Sequence, residues 1–229
     1  MFSRVLYGTA KPIVAVALHL VCRYRVNAGY SSIPDGPLIV ACNHLSWIDI
    51  PLVGVAVPRR LSFMAKKEYA SSRFHRNLIR SFGSFTVDRG AVDRAALRAA
   101  DEALRKGFAL CIFPEGTRSK AFQLIEAGVG TAYVALRHDA HILPVGVAGS
   151  ENIRQMYEKK RILYRPEVTI NIGEPFKLPS RDGKPTREHL AFCTDAIMRR
   201  LAGLLPEAYR GVYRDGASSQ SAPAGDDAS

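Results

Sequence analysis

A chain of 229 residues that is 47% hydrophobic and 23% charged has enough apolar sequence for one substantial core, so a single globular domain is expected. Four scattered cysteines (Cys22, Cys42, Cys111, Cys193), mostly inside apolar runs and without a CxxC pair, exclude a disulfide framework and a zinc motif; they read as reduced core residues in a cytosolic setting. The 32 basic residues against 21 acidic ones give a formal charge of +11. That excess favours an anionic partner (nucleic acid, a phosphate-bearing substrate or an anionic membrane surface), although a basic surface without a specific partner is also common.

From Pro12 to Cys22 the chain is apolar except for His19, with Arg4 and Lys11 before the run and Arg23 and Arg25 after it. A spanning helix needs about 20 apolar residues, so this run is too short to cross a bilayer alone, and no small-residue cleavage site follows it. It reads as an interfacial anchor or a buried core helix. The neighbouring Phe2, Tyr7, Tyr24 and Tyr30 favour the membrane surface. Beyond it, β-rich runs at 37–42, 61–65, 84–87, 109–113, 141–147 and 168–172 are the expected strands. Helices are expected at 46–57, 71–81, 91–106 with Gly107 as its C-cap, 129–138 and 186–204. This alternation predicts an α/β fold: one domain with a largely parallel central sheet flanked by helices, behind an N-terminal apolar membrane-interface helix. The expected division is a membrane-associating helical segment over 1–29, the main domain over 30–215 and a disordered tail over 216–229.

Open α/β sheets bind ligands beyond the carboxyl ends of their strands. Asn43-His44-Leu45-Ser46-Trp47-Ile48-Asp49 follows one such strand. In one continuous helix, positions five apart lie roughly 140° around the axis, so His44 and Asp49 meet only if His44 sits in a turn and Asp49 in the first helical turn. Ser46, three residues before Asp49, supplies a capping-box-like start. Asp49 is then placed to accept a proton from one imidazole nitrogen and leave the other as a base; alternatively these residues only cap a helix and satisfy buried backbone. Phe113-Pro114-Glu115-Gly116-Thr117-Arg118-Ser119 leaves another strand. Gly116 permits close backbone approach and Arg118 offers a planar fork for phosphate oxygens, or the turn holds an ordinary Glu115–Arg118 ion pair. In Gly83-Ser84-Phe85-Thr86-Val87-Asp88-Arg89, Arg89 could add a phosphate contact, and Lys66 or Lys67 could enter the same crevice. No serine or cysteine stands at an obvious nucleophile turn; Cys42, at the end of an apolar strand, reads as core. His138 and His141 lack a nearby third ligand, so no metal is expected.

Taken in order, Asn-His-x4-Asp, Gly-x3-Val-Asp-Arg, Phe-Pro-Glu-Gly-Thr-Arg-Ser and Ile142-Leu143-Pro144-Val145 resemble the glycerolipid acyltransferase family, best known for the 1-acyl-glycerol-3-phosphate acyltransferases. The four blocks run from Asn43 to Val145, with similarity in style from about Tyr30 to Ile172. The resemblance implies transfer of a fatty acyl group from acyl-CoA or acyl-ACP, as co-substrate, to the free hydroxyl of 1-acyl-glycerol-3-phosphate, giving phosphatidate without a further cofactor. It implies His44 as general base oriented by Asp49; Glu115, Gly116, Thr117 and Arg118 as the glycerol-phosphate segment; Gly83 and Arg89 as its support; Lys66 near the reacting carbonyl; and Pro144 and Val145 as pocket wall. It also implies a peripheral or monotopic enzyme on the cytoplasmic face of the cell membrane. Expected partners are a lysophospholipid, an acyl thioester, anionic lipid and, for an acyl-ACP donor, acyl carrier protein. Nucleic acid is not expected, because the basic residues are dispersed and no helix-turn-helix, RNA-recognition or zinc-finger signature is present. One departure bears on the acceptor: relatives often carry a basic residue close to a glycine after the Glu-Gly-Thr-Arg block, where this chain has Leu124-Ile125-Glu126-Ala127-Gly128. Glycerol 3-phosphate, a lyso-aminolipid, or an inactive lipid-binding scaffold of the same fold are the alternatives.

Overall fold

The computed structural model describes residues 4–66, 85–87, 94–153, 165–180 and 183–216. Among them, seven strands form one sheet in the order β1-β7-β6-β2-β5-β3-β4. These are β1 (Arg23–Ala28), β2 (Leu38–Cys42), β3 (Leu61–Lys66), β4 (Phe85–Val87), β5 (Ala109–Ile112), β6 (His141–Ala148) and β7 (Glu167–Ile172). The helices are α1 (Arg4–Val21), α2 (Asp49–Ala56), α3 (Arg94–Arg105), α4 (Gly130–Arg137) and α5 (Arg187–Gly203).

Sequence periodicity explains the layering. Successive side chains of a strand point to opposite faces. In β2, Leu38, Val40 and Cys42 therefore enter one core with Leu52 and Val53 of α2 and Leu18 of α1, while Ile39 and Ala41 enter the other with Ala132 and Ala135 of α4 and Ile197 of α5. β5 divides likewise, with Ala109 and Cys111 on the first face and Leu110 and Ile112 on the second. Strands buried on both faces read as unbroken apolar runs, which is why Leu-Ile-Val-Ala-Cys and Ala-Leu-Cys-Ile were legible.

The expected strands and largely parallel pairing agree with the sheet; β6 and β7 form its antiparallel step. The expected 71–81 helix and the 216–229 tail lie outside the described residues, apart from Gly216. β1 was not expected: it falls within the stretch read as an N-terminal helical segment. Most of β1's side chains are exposed, so it carries no apolar alternation, and it becomes a strand by pairing in parallel with β7.

Register fixes which edge carries the chemistry. β2 runs parallel to β5 and β6, and β3 runs parallel to β5 and β4, so five carboxyl ends emerge on one edge. β7 runs the other way, and β1 with it, so α1 delivers its C-terminal end to this same edge. Near the middle of α1, Lys11 Nζ donates to the Val57 carbonyl at the far end of α2 (2.8 Å). α1 and α2 thus lie side by side in opposite directions, and α2 begins at the carboxyl edge with Asp49.

Candidate active site

β2 is held to its last residue before the chain turns. The Asn43 carboxamide extends the β2–β6 pairing: its Nδ2 donates to the Val147 carbonyl (2.8 Å), and its Oδ1 accepts the Val147 N–H (2.7 Å). His44 then leaves the sheet. Asp49, fully buried, places Oδ2 2.9 Å from His44 Nδ1 and accepts the N–H groups of Leu45 and Ser46, each at 2.7 Å. One carboxylate oxygen therefore shapes the turn and orients the ring. With Nδ1–H donated to a carboxylate, the lone pair of the neutral imidazole lies on Nε2.

The expected capping box is half made. Asp49 reaches back to the Ser46 N–H, but the helix starts at Asp49, and among the described residues the Ser46 hydroxyl has no hydrogen-bond partner. The Asp49 N–H is taken instead by the Ser46 carbonyl (3.2 Å), leaving nothing there for the hydroxyl to cap.

The neighbouring strand end supplies the other wall. Phe113 stacks on the His44 ring, with centroids 4.1 Å apart and planes at 21°. Glu115, only 8% exposed, accepts the His44 N–H on Oε1 and the Ile125 N–H on Oε2, both at 3.1 Å. Burial pushes the Glu115 carboxyl up to about 7, against the pull of those two amides. The Ser119 N–H donates to the His44 carbonyl (3.0 Å), and the Ser119 hydroxyl accepts the Gln123 N–H (3.1 Å). Gly116 has φ +64°, the left-handed turn that glycine adopts without strain, and a Cβ built there meets open space.

The structure brings His44, Asp49 and the 115–118 turn together on adjacent strand ends. Arg118 is exposed and Thr117 half-buried. The β3–β5 register, with Phe63 opposite Cys111, carries Lys66 to the level of Pro114 on this edge. Gly83 and Arg89 lie outside the described residues. Pro144 and Val145 are buried within the sheet, so they back the site from the core instead of forming its wall. Burial raises the Cys42 thiol well above its usual range, which removes it as a nucleophile. Sequence reasoning missed the contributions of Asn43, Phe113, Ser119 and the Ile125 amide. Asn43 directly after an apolar strand was the one available signal.

The Acyltransferase family profile matches residues 25–148. The 1-acyl-sn-glycerol-3-phosphate acyltransferase of Bacillus subtilis is 26% identical over 171 residues, 74% of this chain and 82% of that protein. The lyso-ornithine lipid O-acyltransferase of Pseudomonas aeruginosa is 33% identical over 163 residues, 65% of this chain and 62% of that protein. Among solved structures, the 1-acyl-sn-glycerophosphate acyltransferase PlsC from Thermotoga maritima superposes with a TM-score of 0.65 at 27% identity, covering 86% of this chain and 78% of the other. A profile match over more than half of the chain, joined to a sheet that sets a histidine–carboxylate pair at its carboxyl edge, leads to one conclusion: the chain is an enzyme of the acyltransferase family.

Proposed function

We propose that this enzyme transfers a fatty acyl group from acyl-CoA or acyl-ACP to the free hydroxyl of 1-acyl-glycerol-3-phosphate, giving phosphatidate in phospholipid synthesis. The observation that carries the mechanism is the 2.9 Å Asp49–His44 Nδ1 pair, which leaves Nε2 as the base. The acceptor oxygen attacks the thioester carbonyl carbon, forming the C–O bond while its proton passes to Nε2. The tetrahedral oxyanion then collapses, the C–S bond breaks, and the imidazolium returns the proton to the departing sulfur. Asp49, bonded to Nδ1, stabilises the imidazolium. Arg118 takes the acceptor's phosphate, and Lys66 faces the developing oxyanion. Gly83 and Arg89 support the phosphate side.

A second acceptor class has a specific observation behind it. The lyso-ornithine lipid relative and the exposed acid Glu126, in the loop after the Glu-Gly-Thr-Arg turn, both suit a headgroup bearing an ammonium. An acceptor panel of lysophosphatidate, glycerol 3-phosphate and lyso-ornithine lipid, each with acyl-CoA and acyl-ACP and with products identified by mass spectrometry, decides between them. Lysophosphatidate should give the highest kcat/KM. A preference for lyso-ornithine lipid would replace the acceptor and keep the chemistry, whereas lipid binding without thiol release from any pair would leave only a scaffold.

For location, we propose peripheral or monotopic attachment at the cytoplasmic face of the cell membrane through α1. No described helix is long and apolar enough to cross a membrane. Ile13, Val16 and Leu20 are 69%, 62% and 75% exposed at helical spacing, a stripe that climbs toward the site edge, where Trp47 is also exposed. The formal charge of +11 suits anionic lipid. Replacing all three with serine should weaken sedimentation with phosphatidylglycerol vesicles by tenfold or more, on the order of the transfer free energy lost. Turnover of detergent-dispersed acceptor should persist. Unchanged vesicle binding would rule out this attachment.

A further inference from the structure

We propose that Glu115 is a positioning residue for His44 and makes no contact with the acceptor's headgroup. The inference rests on the reading of His44 as the base. Its starting point is the disposition of the Glu115 carboxylate. Oε1 is taken by the His44 N–H and Oε2 by the Ile125 N–H, in a side chain almost wholly withdrawn from solvent. A carboxyl group held this way turns neither oxygen outward toward a phosphate. The phosphate-facing character of the turn therefore belongs to its exposed member, Arg118, and not to Glu115.

The same turn grips His44 from several sides. Glu115 holds its N–H, the Ser119 N–H holds its carbonyl, and Phe113 covers one face of its ring. All three grips come from β5's exit, while Asp49 fixes Nδ1 from α2. Both main-chain polar groups of the base are thus tied to one short segment. The other oxygen of Glu115 carries the constraint onward. Ile125 follows Leu124, whose N–H donates to the Tyr209 carbonyl (2.8 Å) and whose carbonyl accepts the Val212 N–H (3.3 Å). Gly211, with φ +50°, packs against this link so closely that a Cβ would lie 2.0 Å from the Leu124 carbonyl oxygen. Glu115 is the side chain that connects the base to this C-terminal brace.

The test separates positioning from binding. Glu115→Gln keeps the volume but sets an NH2 group against one of the two amide donors, and Glu115→Asp keeps the charge but is too short to reach both. Each should lower kcat about 10–100-fold, because displacing a reacting group by about 1 Å costs that much, with KM for lysophosphatidate changed less than about threefold. In a His44→Ala background, Glu115→Gln should cost less than a further twofold, since its effect runs through the missing base. The wild-type chain gives an independent readout. The Glu115 carboxyl resonance in a 13C-glutamate-labelled sample should not move when glycerol 3-phosphate or lysophosphatidate saturates the site. A headgroup-dependent shift of that resonance, a tenfold rise in KM with kcat retained, or full additivity with His44→Ala would each overturn the inference. If His44→Ala itself stays active, the base assignment fails first. If His44→Ala is inactive and Glu115→Gln acts on KM alone, only the positioning role fails.

Discussion

Replacing His44 with alanine should lower kcat for acyl transfer by about 10³-fold, inside the range that a positioned general base contributes, and should leave KM for the acceptor within about threefold. The reason lies in what the substitution spares. Alanine keeps the main-chain N–H and carbonyl that bond Glu115 and Ser119, so the turn retains its two anchors. Asp49 keeps its bonds to the Leu45 and Ser46 amides. What disappears is the imidazole, with its Asp49 bond and its stack on Phe113, at a stability cost of about 1–2 kcal/mol. Thiol release from acyl-CoA with lysophosphatidate, alongside thermal melting of the same sample, separates lost chemistry from lost fold. Turnover at the wild-type rate would rule out His44 as the base. The activity that remains in the variant measures what alignment and oxyanion stabilisation supply without proton abstraction.

The parts of this enzyme that the sequence exposes are those whose cause is local. β2, β5 and β6 were legible because strands buried on both faces have no polar alternation to disguise them. The Gly107 C-cap was legible because a left-handed residue after a helical pattern has few alternatives, and Gly107 has φ +76°. His44 and Asp49 could be paired because five residues of turn and helix start are enough to define their meeting. Each miss depends on partners far along the chain. β1 acquires its hydrogen bonds from β7, about 144 residues later, and its own side chains carry no record of that. Asn43 grips Val147 across 104 positions, and Glu115 grips the His44 amide across 71. Motif spacing gives an order along the chain but not which atoms a carboxylate meets. The motif marks Glu115 as a site residue, and only the fold shows that both its oxygens accept backbone amides.

Asp49→Asn should lower kcat by about 10²–10⁴-fold while the protein remains folded, and the contrast with Asp49→Ala isolates the charge. In the native site three donors converge on Oδ2: the Leu45 and Ser46 amides and His44 Nδ1. Of the two asparagine orientations, only the one with its oxygen at the Oδ2 position avoids facing NH2 toward three donors, so that orientation prevails. The turn then survives, but the amide nitrogen occupies the place of Oδ1, a buried atom with no hydrogen-bond partner among the described residues. A buried donor without an acceptor costs about 1–3 kcal/mol, which should appear as a lower melting temperature. The catalytic loss has a different origin. A neutral carboxamide can hold the ring by accepting the Nδ1 proton, but it cannot balance the imidazolium formed when the acceptor hydroxyl gives up its own proton. Alanine at the same position removes the acceptor for all three donors, leaving two backbone amides stranded in a buried turn, and should cost about 2–5 kcal/mol of stability as well as the activity. Equal stability of the asparagine and alanine variants would mean that Asp49 does not organise the turn. An asparagine variant with native kcat would mean that its charge has no part in catalysis. Together, the two measurements assign separate sizes to the structural and electrostatic work of one carboxylate.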